Sequence, residues 1–392
     1  MLSCVRCAHG GPAATVGQYR FHRRKGQAKV VFVAWRDLQF AKGRFALMGA
    51  VIVLITLLVG LLSGLTAGLG QRNISAITSL PADKIAFQAP SGGQDLSYSD
   101  STVTEQQWKM WSKAPGVESA EPLGITTTKA TAGDKSTGVS VFGVKPNSRL
   151  APQGGKITGS AVVMSTAAAA DLGVQAGDSL TLAGRQLKVT AVADNAHFSH
   201  TPVIWTSLDL WQKTTPPTST DHGPTATVIA LSTTSEADTA ATDHQAGTRT
   251  VSTEDSLSAI GSYTSENGSL QLMRGFLFAI SALVIGAFFT VWTIQRSGDV
   301  AVLKALGAST ANLLKDALGQ AVVLLVGGTL IGTGIAAALG ALVAGSAVPF
   351  LLTPATVLSP AVVIIILGAL GAALSIRRIT SVDPLTALGS AR

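Results

Sequence analysis

The feature that most constrains this chain is a continuous run, residues 317–376, that contains no charged side chain. A helix of about 20 apolar residues crosses the hydrocarbon core of a bilayer, so this run is too long for a single crossing. Three prolines interrupt its middle: Pro349, Pro354 and Pro360. Because proline disrupts a helix interior, we predict two membrane helices, at 317–344 and 360–376, joined by an outer loop at 345–359.

Two further apolar segments complete the membrane-spanning part. Residues 45–70 are uncharged, and residues 272–295 carry a single charge, Arg274, near their beginning. Only 13% of all residues are charged, whereas soluble proteins average about 25%. We therefore predict an α-helical membrane protein with four transmembrane helices, and an α+β extracytoplasmic domain with stalk-like ends at 71–271, between the first two.

The distribution of charge predicts the orientation in the membrane. Residues 1–44 carry nine Lys or Arg and one Asp, whereas residues 71–270 carry thirteen Lys or Arg and eighteen Asp or Glu. Basic segments stay on the cytoplasmic side, so we expect a multi-pass plasma-membrane protein with both termini in the cytoplasm. Because the basic residues flank membrane spans, we expect membrane lipid and no nucleic acid as a partner.

The N-terminal segment has its own composition. Cys4 and Cys7 form a CxxC pair followed by His9, which could supply half of a zinc site, but the sequence offers no second half. We interpret residues 1–30 as a disordered or non-native extension and expect no bound metal. Residues 31–44 alternate apolar and basic side chains, which favours an interfacial helix that leads into the first span.

The outer domain is predicted to alternate strands and helices. Strand patterns cover 84–88 and 138–144, and a hairpin at 179–193 turns at Ala183-Gly184. Helix patterns cover 104–114, 165–172 (ending at Gly173), 232–246 and 252–270, the last continuing into the second span.

The segment 296–316, on the cytoplasmic side of the second span, is predicted to contain a short amphipathic helix. Val302, Leu303 and Leu306 fall on one side of that helix, and Gly307 suits its C-terminal end. A soluble partner could press on such an apolar face. The chain lacks the G-x-x-x-x-G-K-[ST] phosphate loop, so we do not expect it to be an enzyme that hydrolyses ATP itself.

This segment, together with SIRRITSVDPLTALG at residues 375–389 and the order of one span, outer domain and three spans, resembles the MacB/FtsX-type permeases of ATP-binding cassette (ABC) transporters. The resemblance implies a permease homodimer that binds two copies of a cytoplasmic ABC ATPase and transmits their motion mechanically. It assigns ATPase coupling to seven residues: Arg296, Asp299, Val302, Leu303, Lys304, Leu306 and Gly307.

Within that family, residues 44–69, 73–83 and 197–205 are most similar to the haem-exporting permeases of Gram-positive bacteria. This resemblance implies efflux of haem from the membrane, with haem as substrate and no resident cofactor. Two alternatives remain: a MacB-type exporter of lipoproteins, peptides or drugs, and an FtsX-like force-transmitting regulator of a cell-wall hydrolase.

If haem is the substrate, an axial ligand for iron, an apolar surface for the macrocycle and a cation for the propionates are needed. The candidate residues are His197, Phe198, His200, Met273, Arg274 and Met48. Most of them also have an ordinary interpretation. Arg274 suits an interface anchor, the His197–His200 run suits a strand-ending turn, and Met48 suits lipid-facing packing.

Overall fold

The computed structural model describes residues 42–152, 157, 159–214, 224–307, 309–343 and 348–380. Four helices in this part of the chain are long and apolar enough to cross a membrane. They are α1 (Lys42–Thr78), α6 (Gly261–Gln295), α8 (Thr310–Val343) and α9 (Pro354–Thr380). The predictions for 1–30, for most of 31–44 and for 381–392 lie outside the described residues.

Helices α1 and α8 pack closely because small side chains recur every four residues along their contact. A Cβ atom added to Gly332 would lie 2.7 Å from the Val53 carbonyl oxygen, and one added to Gly328 would lie 2.8 Å from Ile52. Small residues at this spacing let two membrane helices approach at backbone distance. The bundle core beside this seam contains Ile285, Phe289, Leu325 and Ile364.

The last membrane helix begins earlier than predicted. Helix α9 starts at Pro354, six residues before the predicted start at Pro360, and Pro360 lies inside the helix. Pro354 suits the first position of the helix, because an N–H there would have no acceptor within the helix. The proline pattern therefore indicated the break correctly but misplaced the start.

Helices α1 and α6 extend past their apolar parts as two stalks that reach the outer domain. The predicted projection of the first helix is present, because α1 continues to Thr78. The predicted continuous helix at 252–270 is confirmed from Gly261 onward, where it runs into the second span, and is wrong before that residue. Strand β12 ends at Ser252, a 3₁₀ turn covers Asp255–Ala259, and the extended backbone of Ile260 precedes α6.

The outer domain lies between α1 and α6 and has the predicted α+β composition. Its strands are β1 (Lys84–Gln88), β2 (Val103–Thr104), β3 (Val117–Ala132), β4 (Lys135–Val144), β5 (Ala161–Met164), β6 (Ser179–Leu182), β7 (Arg185–Val192), β8 (His197–Phe198), β9 (Thr201–Ser207), β10 (Thr225–Ala226), β11 (Val228–Thr233) and β12 (Thr248–Ser252). Its helices are α2 (Glu105–Trp111), α3 (Thr166–Leu172), α4 (Leu208–Thr214) and α5 (Thr239–Ala246).

The main sheet follows the strand order β12-β1-β11-β3-β4-β9-β5-β7-β6, and β8 pairs with β9. Neighbouring strands are antiparallel except for the parallel pairs β4–β9 and β5–β7. Because the long strand β3 also pairs with β6, the sheet curls back on itself. Two apolar clusters pack on its faces, and the second of them includes Ile77 and Leu80 at the end of the α1 stalk.

Local signals in the sequence gave the correct short elements in several places. Ser165 caps α3 and Gly173 ends it with φ of 68°, and the β6–β7 hairpin turns at Ala183 and Gly184, both with positive φ. The predicted helix at 232–246 is wrong in its first half. Residues up to Thr233 belong to β11, and the helix begins only after its cap, Asp238.

Candidate functional site

A cavity of about 300 Å³ lies between the two stalks, where the outer domain meets the membrane bundle. One wall is α1, the other is α6, and the loop before α9 contributes Leu351. The polar lining residues are Thr66, Gln71, Asn73, Tyr263, Glu266, Asn267, Gln271 and Arg274. Such a mixed cavity beside lipid is suited to the polar head of an amphiphilic molecule.

Arg274 supplies the positive charge of this cavity. Its side chain is half-buried, and its Nε atom is buried without a hydrogen-bond partner among the described residues. A buried donor left unsatisfied costs about 1–3 kcal/mol, and a bound carboxylate or phosphate would remove that cost. Arg274 therefore has a donor available for an anion, because no described residue accepts from its Nε.

Glu266 lies two helical turns before Arg274 on α6 and lines the same cavity. Its carboxylate is held from outside the cavity by His200, whose Nε2 lies 2.8 Å from Oε1 and 2.9 Å from Oε2. Asn73 on α1 donates its side-chain amide to Oε2 at 3.2 Å, and Ser262 donates to the Asn73 side-chain oxygen at 2.5 Å. We call these four residues the stalk clasp.

His200 of the stalk clasp lies in a turn with an unusual backbone. Ser199 and His200, between β8 and β9, both have positive φ, 49° and 66°. Two consecutive residues of this kind persist only where the surroundings fix them. Here their N–H groups donate to the carbonyl oxygens of Asn73 and Arg72 on α1, both at 3.0 Å.

His197 and Phe198 are held inside the outer domain and do not line the cavity. Phe198 is 6% exposed, and its ring packs edge-on against Tyr98 at 5.4 Å and Phe142 at 5.8 Å. The His197 backbone N–H donates to Ser75 at 2.8 Å. Burial disfavours the charged form of each group, so it lowers the pKa of His197 and raises the pKa of Tyr98.

The two candidate methionines are far apart. Met273 is 50% exposed on the surface of α6, beside Arg274. Met48 is 6% exposed and packs in the bundle core near the opposite end, in the same cluster as Trp292. The expectation that Met48 faces lipid is therefore wrong, and Met48 does not share a site with Arg274.

The six predicted substrate residues thus separate into groups. Arg274 lines the cavity, and His200 contacts two of its lining residues, Glu266 and Asn73. Two cavity residues, Asn73 and Glu266, were missed by the sequence reasoning. Their signal was weak, because each is a single polar residue within two helical turns of the end of an apolar span.

The predicted coupling segment forms α7 (Ser297–Ala305), at the other end of α6. Its apolar side chains are uncovered: Val302 is 58%, Leu303 43% and Leu306 79% exposed. Gly307 ends the segment with φ of 90°, as the C-terminal position requires.

Arg296 anchors α7 to the bundle. Its guanidinium donates to Gln320 and lies 5.6 Å from the Trp292 ring centroid. Lys304 is half-buried, and the Asp299 side chain is outside the described part of the chain. Arg296 therefore faces the bundle.

Family models match both parts of this architecture. The model "MacB-like periplasmic core domain" matches residues 45–249, which is more than half of the chain, and "FtsX-like permease C-terminal" matches residues 272–384. Fold and matches together define the membrane subunit of an ABC transporter. The chain belongs to the MacB/FtsX-type permeases, as the sequence predicted.

Relatives match nearly the whole chain. A protein of Staphylococcus epidermidis named as the HrtB permease of a hemin transport system is 25% identical over 91% of this chain and 99% of its own length. An uncharacterised ABC transporter permease of Mycobacterium tuberculosis is 23% identical over 92% of this chain and 99% of its own. The periplasmic region of MacB from Actinobacillus actinomycetemcomitans is similar at a TM-score of 0.32, with 11% identity, over 48% of this chain and 95% of its own.

Proposed function

We propose that this protein is the permease of an ABC efflux pump that exports haem from the membrane, driven by a separate cytoplasmic ATPase. The observation that carries the proposal is the cavity between the stalks, where the Nε of Arg274, at the edge of the apolar span, has no acceptor within the described parts of the chain. The similarity to permeases named for hemin transport in two Staphylococcus species supports the same substrate.

The cavity suits one edge of haem better than the whole molecule. The propionates would bind Arg274, because a charge-assisted bond from arginine to carboxylate is among the stronger hydrogen bonds in proteins. The macrocycle would lie against apolar side chains that border this region, Leu270 within the cavity and Met273 and Phe276 on the lipid-facing side. Haem would therefore enter sideways from the outer part of the bilayer.

Helix α6 offers a mechanical connection between the two ends of the molecule. It runs without a break over 35 residues, from the stalk clasp to the start of α7, a length of about 50 Å at 1.5 Å per residue. An ATPase that binds the exposed face of α7 could move the stalk directly. We propose two such ATPases on a permease homodimer, with both termini of each permease in the cytoplasm.

Haem binding tests the proposal. Purified protein in detergent is titrated with haemin, and the Soret absorption is recorded for the wild type, Arg274→Ala and Arg185→Ala. Arg185 is an exposed arginine on β7 and serves as the matched control. We expect a saturable shifted band whose affinity falls about tenfold or more in Arg274→Ala, as expected for a lost hydrogen bond to a charged group.

Two results would contradict the proposal. If the wild type shows no saturable band, a lipoprotein, peptide or drug exporter or an FtsX-like regulator becomes the better description. If the band is present and Arg274→Ala binds as tightly as Arg185→Ala, the haem site lies elsewhere.

A further inference from the structure

We infer that His200 promotes binding of an anionic ligand without touching it, by holding and shielding the carboxylate of Glu266 on the far side of the cavity wall. The inference rests on the proposed function and assigns His200 as a positioning residue. It replaces the expectation that His200 contacts the haem directly.

The His200 ring contacts both Glu266 and Asn73. Its Nε2 atom lies within hydrogen-bond distance of both Glu266 oxygens, at 2.8 and 2.9 Å. The Asn73 side-chain Nδ2 also lies 3.0 Å from Nε2. We infer the tautomer that carries the proton on Nε2, because this ring donates to the carboxylate and leaves the Asn73 amide to donate to Glu266. The same nitrogen cannot ligate iron while it makes this bond. His200 is also absent from the cavity lining, whereas Glu266 is part of it.

The cavity contains both a cation and a carboxylate. Arg274 and Glu266 line the same space with opposite charges. A free Glu266 carboxylate would repel an anionic head and compete with it for Arg274. With His200 and Asn73 both donating to it, the carboxylate is turned toward the clasp and its charge is partly satisfied there.

The chain holds His200 in a backbone conformation that is unfavourable for a residue other than glycine. The turn at Ser199 and His200 has positive φ at both residues, and its N–H groups bond to α1. Ser199 also contacts Ser262 on α6, Oγ to Oγ, at 2.8 Å. The ring is therefore fixed relative to both stalks at once, which a residue with no role beyond filling a turn does not need.

A double-mutant cycle in the full-length protein tests this inference. Haemin affinity is measured for the wild type, His200→Asn, Glu266→Gln and the double variant. Asparagine tolerates positive φ, so the turn is retained, and thermal unfolding of each variant checks the fold. His244→Asn, an exposed histidine on α5, is the control.

We expect His200→Asn to weaken haemin binding about two- to fivefold, the range for a partly exposed charged pair. Glu266→Gln should bind at least as tightly as the wild type, and the double variant should match Glu266→Gln. Haemin dimethyl ester, which has no carboxylates, should bind all four proteins equally.

Other results overturn the inference. If the double variant is as weak as His200→Asn, or if the ester also loses affinity in His200→Asn, His200 contacts the ligand or only maintains the fold. Such a result leaves the proposed function standing as long as the wild type binds haemin and Arg274→Ala does not. Absence of haemin binding by the wild type overturns both.

Discussion

Single residues decide how closely the parts of this protein approach one another. The loop before α9 lies directly on α1, where the N–H of Leu351 donates to the Gly64 carbonyl oxygen at 3.0 Å. The Phe350 ring occupies the space that a Cβ on Gly64 or on Gly340 would need. The close contacts require glycine at these positions, although alanine has the higher helix propensity.

Gly68 gives the sharpest prediction at this scale. A Cβ at Gly68 would lie 2.0 Å from the backbone oxygen of Pro349, which cannot swing away as a side chain could. We expect Gly68→Ala to reduce the free energy of unfolding by about 1–3 kcal/mol, the usual cost of overpacking. Gly70→Ala is the matched control, because its Cβ would meet nothing within 4 Å.

The measurement is thermal unfolding of both variants in the same detergent. Equal midpoints for Gly68→Ala and Gly70→Ala would contradict the close contact between α1 and the loop before α9.

At the scale of elements, α7 is a short helix whose apolar side faces outward at the end of a long rigid one. Its exposed residues Val302, Leu303 and Leu306 make an unpartnered face, while Arg296 attaches the base of the helix to the bundle. A helix so placed can receive force at one end and pass it through α6 to the stalk clasp.

Substitution of this face should separate ATPase binding from the rest of the molecule. We expect Leu303→Asp and Leu306→Asp to weaken binding of the ATPase at least about tenfold, because each places a charge in an apolar contact. Ser297→Asp, an exposed change on the same helix, adds an equal charge away from that face and should be neutral.

Affinity between purified permease and ATPase, measured with haemin binding as a check on the permease, decides the point. Unchanged affinity in both leucine variants would remove α7 from the coupling interface.

At the scale of the whole molecule, the membrane part was predictable because a bilayer requires long uncharged helices, and these are recognisable as uncharged runs in the sequence. The short elements with local signals, such as α3 with Gly173, were predictable for a similar reason. The stalk clasp was not, because His200 lies 66 residues from Glu266 and 127 from Asn73 along the chain. Long strand β3 escaped notice because polar threonines fill its second half.

The central claim is that this permease moves haem out of the membrane with energy from a partner ATPase. The most direct measurement uses proteoliposomes that contain the permease–ATPase complex and haemin in the bilayer, with apo-myoglobin outside as acceptor. We predict transfer of haem to apo-myoglobin that requires ATP hydrolysis and is strongly reduced by Arg274→Ala. Transfer at the same rate without ATP, or no transfer by a complex that hydrolyses ATP, would contradict the account.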